Sequence, residues 1–93
     1  MANNLFISYD LYKTGQDYEK VETAIKSLGN WAKLQLSHWY VKSNFSAQQA
    51  ADHIWKSMDG NDKLLVVDAT NNTAYWYNLN KEVSDHLVQQ WNK

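Results

Sequence analysis

Leu5-Phe6-Ile7-Ser8-Tyr9-Asp10-Leu11 is an apolar strand that ends in a carboxylate, with the loop Tyr12 to Gln16 directly after it. Successive strand side chains point to opposite faces, so Phe6, Ser8 and Asp10 share one side and Leu5, Ile7 and Tyr9 the other. The side carrying Phe6 is too apolar to leave wet and too polar for a deep core. It is therefore expected to meet a second copy of the chain in a symmetric homodimer packed through the sheet. An acid at a strand mouth is placed to handle a cation or a proton transfer. Its structural alternative is to accept backbone N–H bonds from the loop that follows.

Working outward, Tyr18, Val21, Ala24, Ile25 and Leu28 recur at helical spacing, with Glu19, Lys20, Glu22 and Lys26 on the other face. Asp17 is the expected N-cap, and Gly29 the expected close of that helix. From Trp31 to Lys42 the period falls to two, which predicts one long strand or two short ones joined near Leu36. Ser46 and Gln49 form a Ser-x-x-Gln capping box ahead of Ala47, Ala50, Ala51, Ile54, Trp55 and Met58, a second helix. Asp59 to Asp62 is a turn, and Lys63 to Asp68 an unbroken apolar run expected inside a sheet. Asn71-Asn72 predicts a type I′ hairpin returning through Ala74 to Tyr77. Asn80 then caps a final helix with apolar positions Val83, Leu87, Val88 and Trp91. This order predicts one α/β (α+β) domain over residues 1–93, an antiparallel-rich sheet with helices on one face and an extra C-terminal helix.

Composition narrows the function. A chain of 93 residues with 44% hydrophobic content builds one modest core, and its net charge of -1 leaves no global basic footprint. All nine positive side chains are lysines, so forked recognition of guanine edges or phosphates is missing, which counts against a sequence-specific DNA reader. Without cysteine there is no disulfide framework, thiolate zinc site or cysteine nucleophile. No apolar run approaches the roughly 20 residues of a membrane span, so a soluble, cytoplasmic protein with no membrane partner is expected.

The Tyr-Asp-Leu end of the first strand, the helix closing on Gly29, Lys33-Leu34-Gln35-Leu36-Ser37-His38-Trp39, the second helix and Asp62-Lys63-Leu64-Leu65-Val66-Val67 carry a resemblance. Together they resemble the small CRISPR-associated nuclease and spacer-acquisition subunit. They are also similar to its VapD-type toxin ribonuclease and stand-alone SinR-like relatives. The resemblance covers about the first three quarters of the chain on short motifs. It implies a ferredoxin-like sandwich, a homodimer packed through its sheets, and Asp10 of each subunit facing its mate as ligand to a divalent cation, here magnesium, in phosphodiester cleavage. The carry-over reaches Tyr9, Asp10, Gln35 and Ser37. Lys33 stands where the family usually has arginine and Trp39 where it has phenylalanine, and the segment from Ala74 to Lys93 departs from the family's closing strand.

The candidate chemistry follows. Magnesium is held by few carboxylates, so Asp10 serves as a metal ligand when symmetry brings two copies together. His38, beside Ser37 and Trp39, is a candidate general base, and Ser37 a candidate assistant to Asp10. Asp68 is expected to serve the turn before Asn71, far from Asp10. Tyr9, Lys33, Gln35 and Trp39 are candidates for nucleic-acid contact. Tyr75-Trp76-Tyr77 is the candidate surface for RNA, DNA or a protein partner, because one of three alternating aromatics must point away from the core. Two functions stay open: a metal-dependent endonuclease, and a catalytically silent dimeric scaffold or binding module for a protein or nucleotide.

Overall fold

The computed structural model describes residues 2–12 and 18–91. Within them the chain runs β1 (Asn3–Asp10), α1 (Tyr18–Lys26), β2 (Gly29–Gln35), β3 (His38–Ser43), α2 (Ala47–Trp55), β4 (Lys63–Asp68), β5 (Thr73–Tyr77) and α3 (Lys81–Trp91). The expected cap Asp17 and most of the loop after Tyr12 lie outside the described residues. The fold is a mixed α+β one, with five strands in a single antiparallel sheet of order β2-β3-β1-β4-β5. No helix among the described residues is long and apolar enough to cross a membrane.

The stretch that opens the chain is the centre of the sheet. β1 pairs with β3 on one side, Ile7 opposite Trp39, and with β4 on the other, Ile7 opposite Val66. Leu5, Ile7 and Tyr9 therefore lie among Trp39, Val41, Leu64 and Val66, and all seven are buried. Val21 and Ile25 of α1 and Ala47, Ala50, Ala51 and Ile54 of α2 close this layer. Three alanines let α2 lie close to the strands, and each large aliphatic side chain buried here stabilises the fold by about 1.5–3 kcal/mol. The capping box of α2 forms as read: the Ser46 hydroxyl accepts from the Gln49 N–H at 3.1 Å, and the Gln49 side-chain Oε1 accepts from the Ser46 N–H at 2.9 Å.

Trp31 to Lys42 resolves into two strands, joined by a tight turn at Leu36-Ser37 with a bulge between Lys33 and Gln35. Gly29 does not act as a left-handed helix cap. It opens β2 opposite Ser43, where a Cβ would lie 2.0 Å from the Lys42 carbonyl oxygen, so close strand approach is what requires glycine. The β4–β5 hairpin forms, but through Ala69 to Asn72 rather than a two-residue type I′ turn. In that turn Asn72 alone has positive φ, 55°. The reason is Asp68, whose carboxylate accepts from the Thr70 and Asn71 N–H groups at 3.0 and 3.1 Å and closes a wider turn.

Helices on one face describes α1 and α2 only. Asn80 caps α3 through the Val83 N–H at 2.9 Å as read, but Val83 and Val88 stay exposed and α3 buries no residue fully. Trp76, opposite Leu65 on β4, donates its indole N–H to Ser84 at 2.9 Å, and Trp91 donates to the Asn72 carbonyl at 2.9 Å. α3 therefore runs along β5 on the face that α1 and α2 leave open.

Candidate functional site

Strand parity and register together build one polar corner on that open face. Ser8 and Asp10 point to it from β1; His38 stands opposite Ser8, Lys63 opposite Asp10, and Gln35 opposite His38. These side chains line a cleft of about 480 Å³ whose remaining wall includes Leu36, Ser37, Leu65 and Leu79. Asp10 is exposed and its carboxylate makes no hydrogen bond or ion pair among the described residues, and the Lys63 ammonium likewise makes none there. The two charges face each other across the β1–β4 pair without closing an ion pair.

The structural role expected as an alternative for Asp10 belongs to another acid. Asp62, fully buried, accepts from the Tyr12 N–H and from the Asp59 N–H, both at 2.7 Å. It ties the chain just past the mouth of β1 to the turn that leads into β4. Asn78, in the left-handed region at φ 62°, adds a side-chain amide on the Asp62 carbonyl at 2.9 Å. Asp62 thereby fixes where both Asp10 and Lys63 stand. Asp68 serves its turn as read, and its register opposite Leu5 puts it at the far end of β1 from Asp10.

The His38 ring is held on two sides. Its Nδ1 lies 3.0 Å from the Gln35 side-chain oxygen, and the Phe6 ring is tilted against it at 6.3 Å between centroids. A carboxamide oxygen only accepts, so the tautomer that makes this contact donates from Nδ1 and leaves Nε2 open. Ser37 sits in the turn, its carbonyl accepting from the Tyr9 N–H at 3.1 Å, beside rather than within this pair.

Other candidates fall elsewhere. Lys33, expected to help grip a strand of nucleic acid, points to the helix layer: it pairs with Glu22 at 2.9 Å and lies 5.6 Å from the Trp39 ring centroid. Trp39 itself is 1% exposed, a core residue rather than a contact surface. Tyr9 is buried as well, its hydroxyl directed at the Leu36 carbonyl, and burial raises its phenol above the ordinary value. The Tyr75-Trp76-Tyr77 segment is engaged internally. Tyr77 stacks on Trp55 at 4.6 Å and donates to Asp52, Tyr75 packs edge-on against Tyr77, and Trp76 is taken by α3.

Two members of the corner, Lys63 and Ser8, were not legible as site residues, since only the β1–β4 and β1–β3 registers bring them to Asp10 and His38. A Ser–His contact also arises between Ser27 and His53 at 2.9 Å, but the Ser27 hydroxyl also contacts the Ala24 carbonyl at 2.7 Å and closes a helix end. For magnesium the fit is poor in one protomer. The cleft offers one carboxylate with a lysine directly across from it, and no group of three His, Cys, Asp or Glu side chains gathers among the described residues. A resident divalent cation would need a second Asp10 from another copy.

Compared with family models, curated proteins and solved structures, the chain matches none.

Proposed function

We propose that this chain acts on nucleic acid across its open sheet face and cleaves the phosphodiester backbone at the Asp10–His38–Lys63 corner. The observation that carries the reading is the convergence of an uncommitted acid, an uncommitted lysine and an oriented imidazole in one cleft. Neither charge is bonded to another side chain among the described residues, so both can meet a ligand in the cleft. In this reading Lys63 meets phosphate charge, His38 moves a proton, and Asp10 stabilises the imidazolium that results. The order β2-β3-β1-β4, with a helix in each crossover, supports a ferredoxin-like sandwich extended by β5 and α3. The relation to the small CRISPR-associated nuclease subunit rests on the sequence motifs alone.

A second reading rests on a different observation. Phe6, Tyr40, Leu65 and Val67 share the open face and are only half-buried, an apolar strip that a second copy would cover. The chain is then a homodimeric scaffold or binding module and the corner is silent. The deciding experiment is cleavage of labelled single-stranded RNA and duplex DNA by highly purified protein, with magnesium or with chelator, beside Asp10→Asn. Cutting that falls at least tenfold in the variant supports the nuclease. Equal cutting by both proteins, or none by either while circular dichroism shows both folded, rejects it.

A further inference from the structure

We infer that Gln35 is the positioning residue of this corner: its side-chain oxygen selects the tautomer and direction of the His38 ring, and a β-bulge in β2 is what brings it there. The inference rests on the nuclease reading above, in which His38 moves a proton, and says how the ring is readied for that task. It begins with the ladder between β2 and β3. Lys33 stands opposite Trp39 and Gln35 opposite His38, so two residues of β2 advance against one of β3 and Leu34 is the extra one. In a regular ladder Leu34 would stand opposite His38, and Gln35 would turn to the helix layer as Lys33 does. The inserted residue reverses that. Leu34 is left half exposed on the edge strand, and a carboxamide takes the place beside the imidazole. Bulges re-aim side chains in this way next to functional groups.

The pair is held from two further directions. Gln35 and His38 close the two-residue turn Leu36-Ser37, and both carbonyls of that turn are tied to β1. The Ser37 carbonyl accepts from the Tyr9 N–H at 3.1 Å, and the Tyr9 hydroxyl is directed at the Leu36 carbonyl at 3.4 Å. Tyr9 is buried and directly precedes Asp10, so the turn is anchored to the strand that carries the acid. Against the His38 ring lies Phe6, 6.3 Å between centroids and tilted at 57°. Between these supports the Gln35 oxygen lies 3.0 Å from Nδ1. A neutral imidazole donates from one nitrogen and accepts at the other, so a fixed acceptor at Nδ1 selects the tautomer with its lone pair on Nε2. In the imidazolium both nitrogens donate, so a proton taken up at Nε2 leaves the Gln35 contact intact. Gln35 plays the part that an orienting carboxylate plays for a catalytic histidine, without adding a charge. It acts through His38. Because Gln35 is exposed, its replacement leaves the fold standing and the effect on the ring can be read directly.

The test uses the isotopically labelled full chain, with the His38 signals identified by their loss in His38→Ala. Long-range proton–nitrogen correlation spectra of the neutral ring tell a protonated nitrogen from a bare one. The expected wild-type result is a protonated Nδ1 and a bare Nε2. Gln35→Met, which keeps the length but not the acceptor, gives a mixture of the two tautomers, and Gln35→Glu restores the wild-type pattern. In the cleavage assay above, Gln35→Met lowers kcat about fivefold, the rate equivalent of one ordinary hydrogen bond, with KM unchanged, and Gln35→Glu recovers it. An unchanged thermal midpoint shows both variants folded. A proton on Nε2 in the wild type, or Gln35→Met with the wild-type tautomer or the wild-type kcat, overturns the positioning role while the nuclease reading stands. Failure of folded wild-type protein to cut either substrate, with or without magnesium, overturns both.

Discussion

Replacing Asp62 by alanine tests the account of how the cleft is held. Asp62 is fully buried and its carboxylate oxygens take two backbone N–H groups at 2.7 Å, from Tyr12 and Asp59. That length is typical of charge-assisted bonds, each worth about 1.5–3 kcal/mol. Alanine leaves both amides without that acceptor, so the expected loss is at least about 3 kcal/mol. Against a typical stability of about 5–15 kcal/mol the variant still folds, but weakly. For a domain of this size the loss lowers the thermal midpoint by about 12–24 °C. With a urea m-value of about 1–2 kcal/mol/M it lowers the unfolding midpoint by about 1.5–3 M. Asp62→Asn, which keeps one acceptor oxygen, is expected to lose roughly half as much, and Asp10→Ala, at an exposed and uncommitted acid, close to nothing. Urea denaturation followed by tryptophan fluorescence measures all three. A loss under about 1 kcal/mol in Asp62→Ala, or a loss in Asp10→Ala of the same size, would refute the assignment of structural work to Asp62.

Other expectations are as direct. Gly29→Ala places a methyl group against the Lys42 carbonyl and should destabilise by about 1–3 kcal/mol, with amide exchange accelerated in β2 and β3 in particular; uniform acceleration would locate the strain elsewhere. The Asp52 carboxylate that accepts from Tyr77, aided by burial, holds the Tyr77 phenol at about 12, above its ordinary 10.0. Its contribution is therefore fully present below pH 10 and is lost as pH rises towards 12; Tyr77→Phe should remove that step from the alkaline unfolding curve. If the apolar strip is a dimer interface, Leu65→Glu should convert a dimer to a monomer in sedimentation analysis, whereas a monomeric wild type removes the second reading.

What was legible in the sequence is what local chemistry decides. The alternation of β1, the capping box at Ser46 and Gln49, the apolar run Lys63 to Asp68, the turn role of Asp68 and the Asn80 cap depend on neighbours within a few residues, and the structure keeps each of them. Asp10, an acid at a strand end, and His38, beside Ser37 and Trp39, were legible as candidates from their immediate neighbours alone. Their grouping with Lys63, Ser8 and Gln35 was not, because strand register is set by long-range pairing. A shift of one residue would send every one of these side chains to the other face.

Tertiary packing decided the remainder. Lys33 turns to Glu22 because β2 lies over α1, and Trp39 to the core because β3 pairs with β1 opposite Ile7, relations that no periodicity in either strand encodes. Trp76 does point away from the core, as alternation requires, and α3 then takes it. Asp62 has the residue type and the turn position of many exposed aspartates. Only the meeting of the β1 end with the turn before β4 buries it and makes it the anchor of the cleft. Sequence alone thus determined the elements and the inward faces of β1, α1 and α2, since dihedral preference and side-chain period are local. The candidate site was decided by the fold, since it is made of side chains from four strands that only antiparallel pairing brings together.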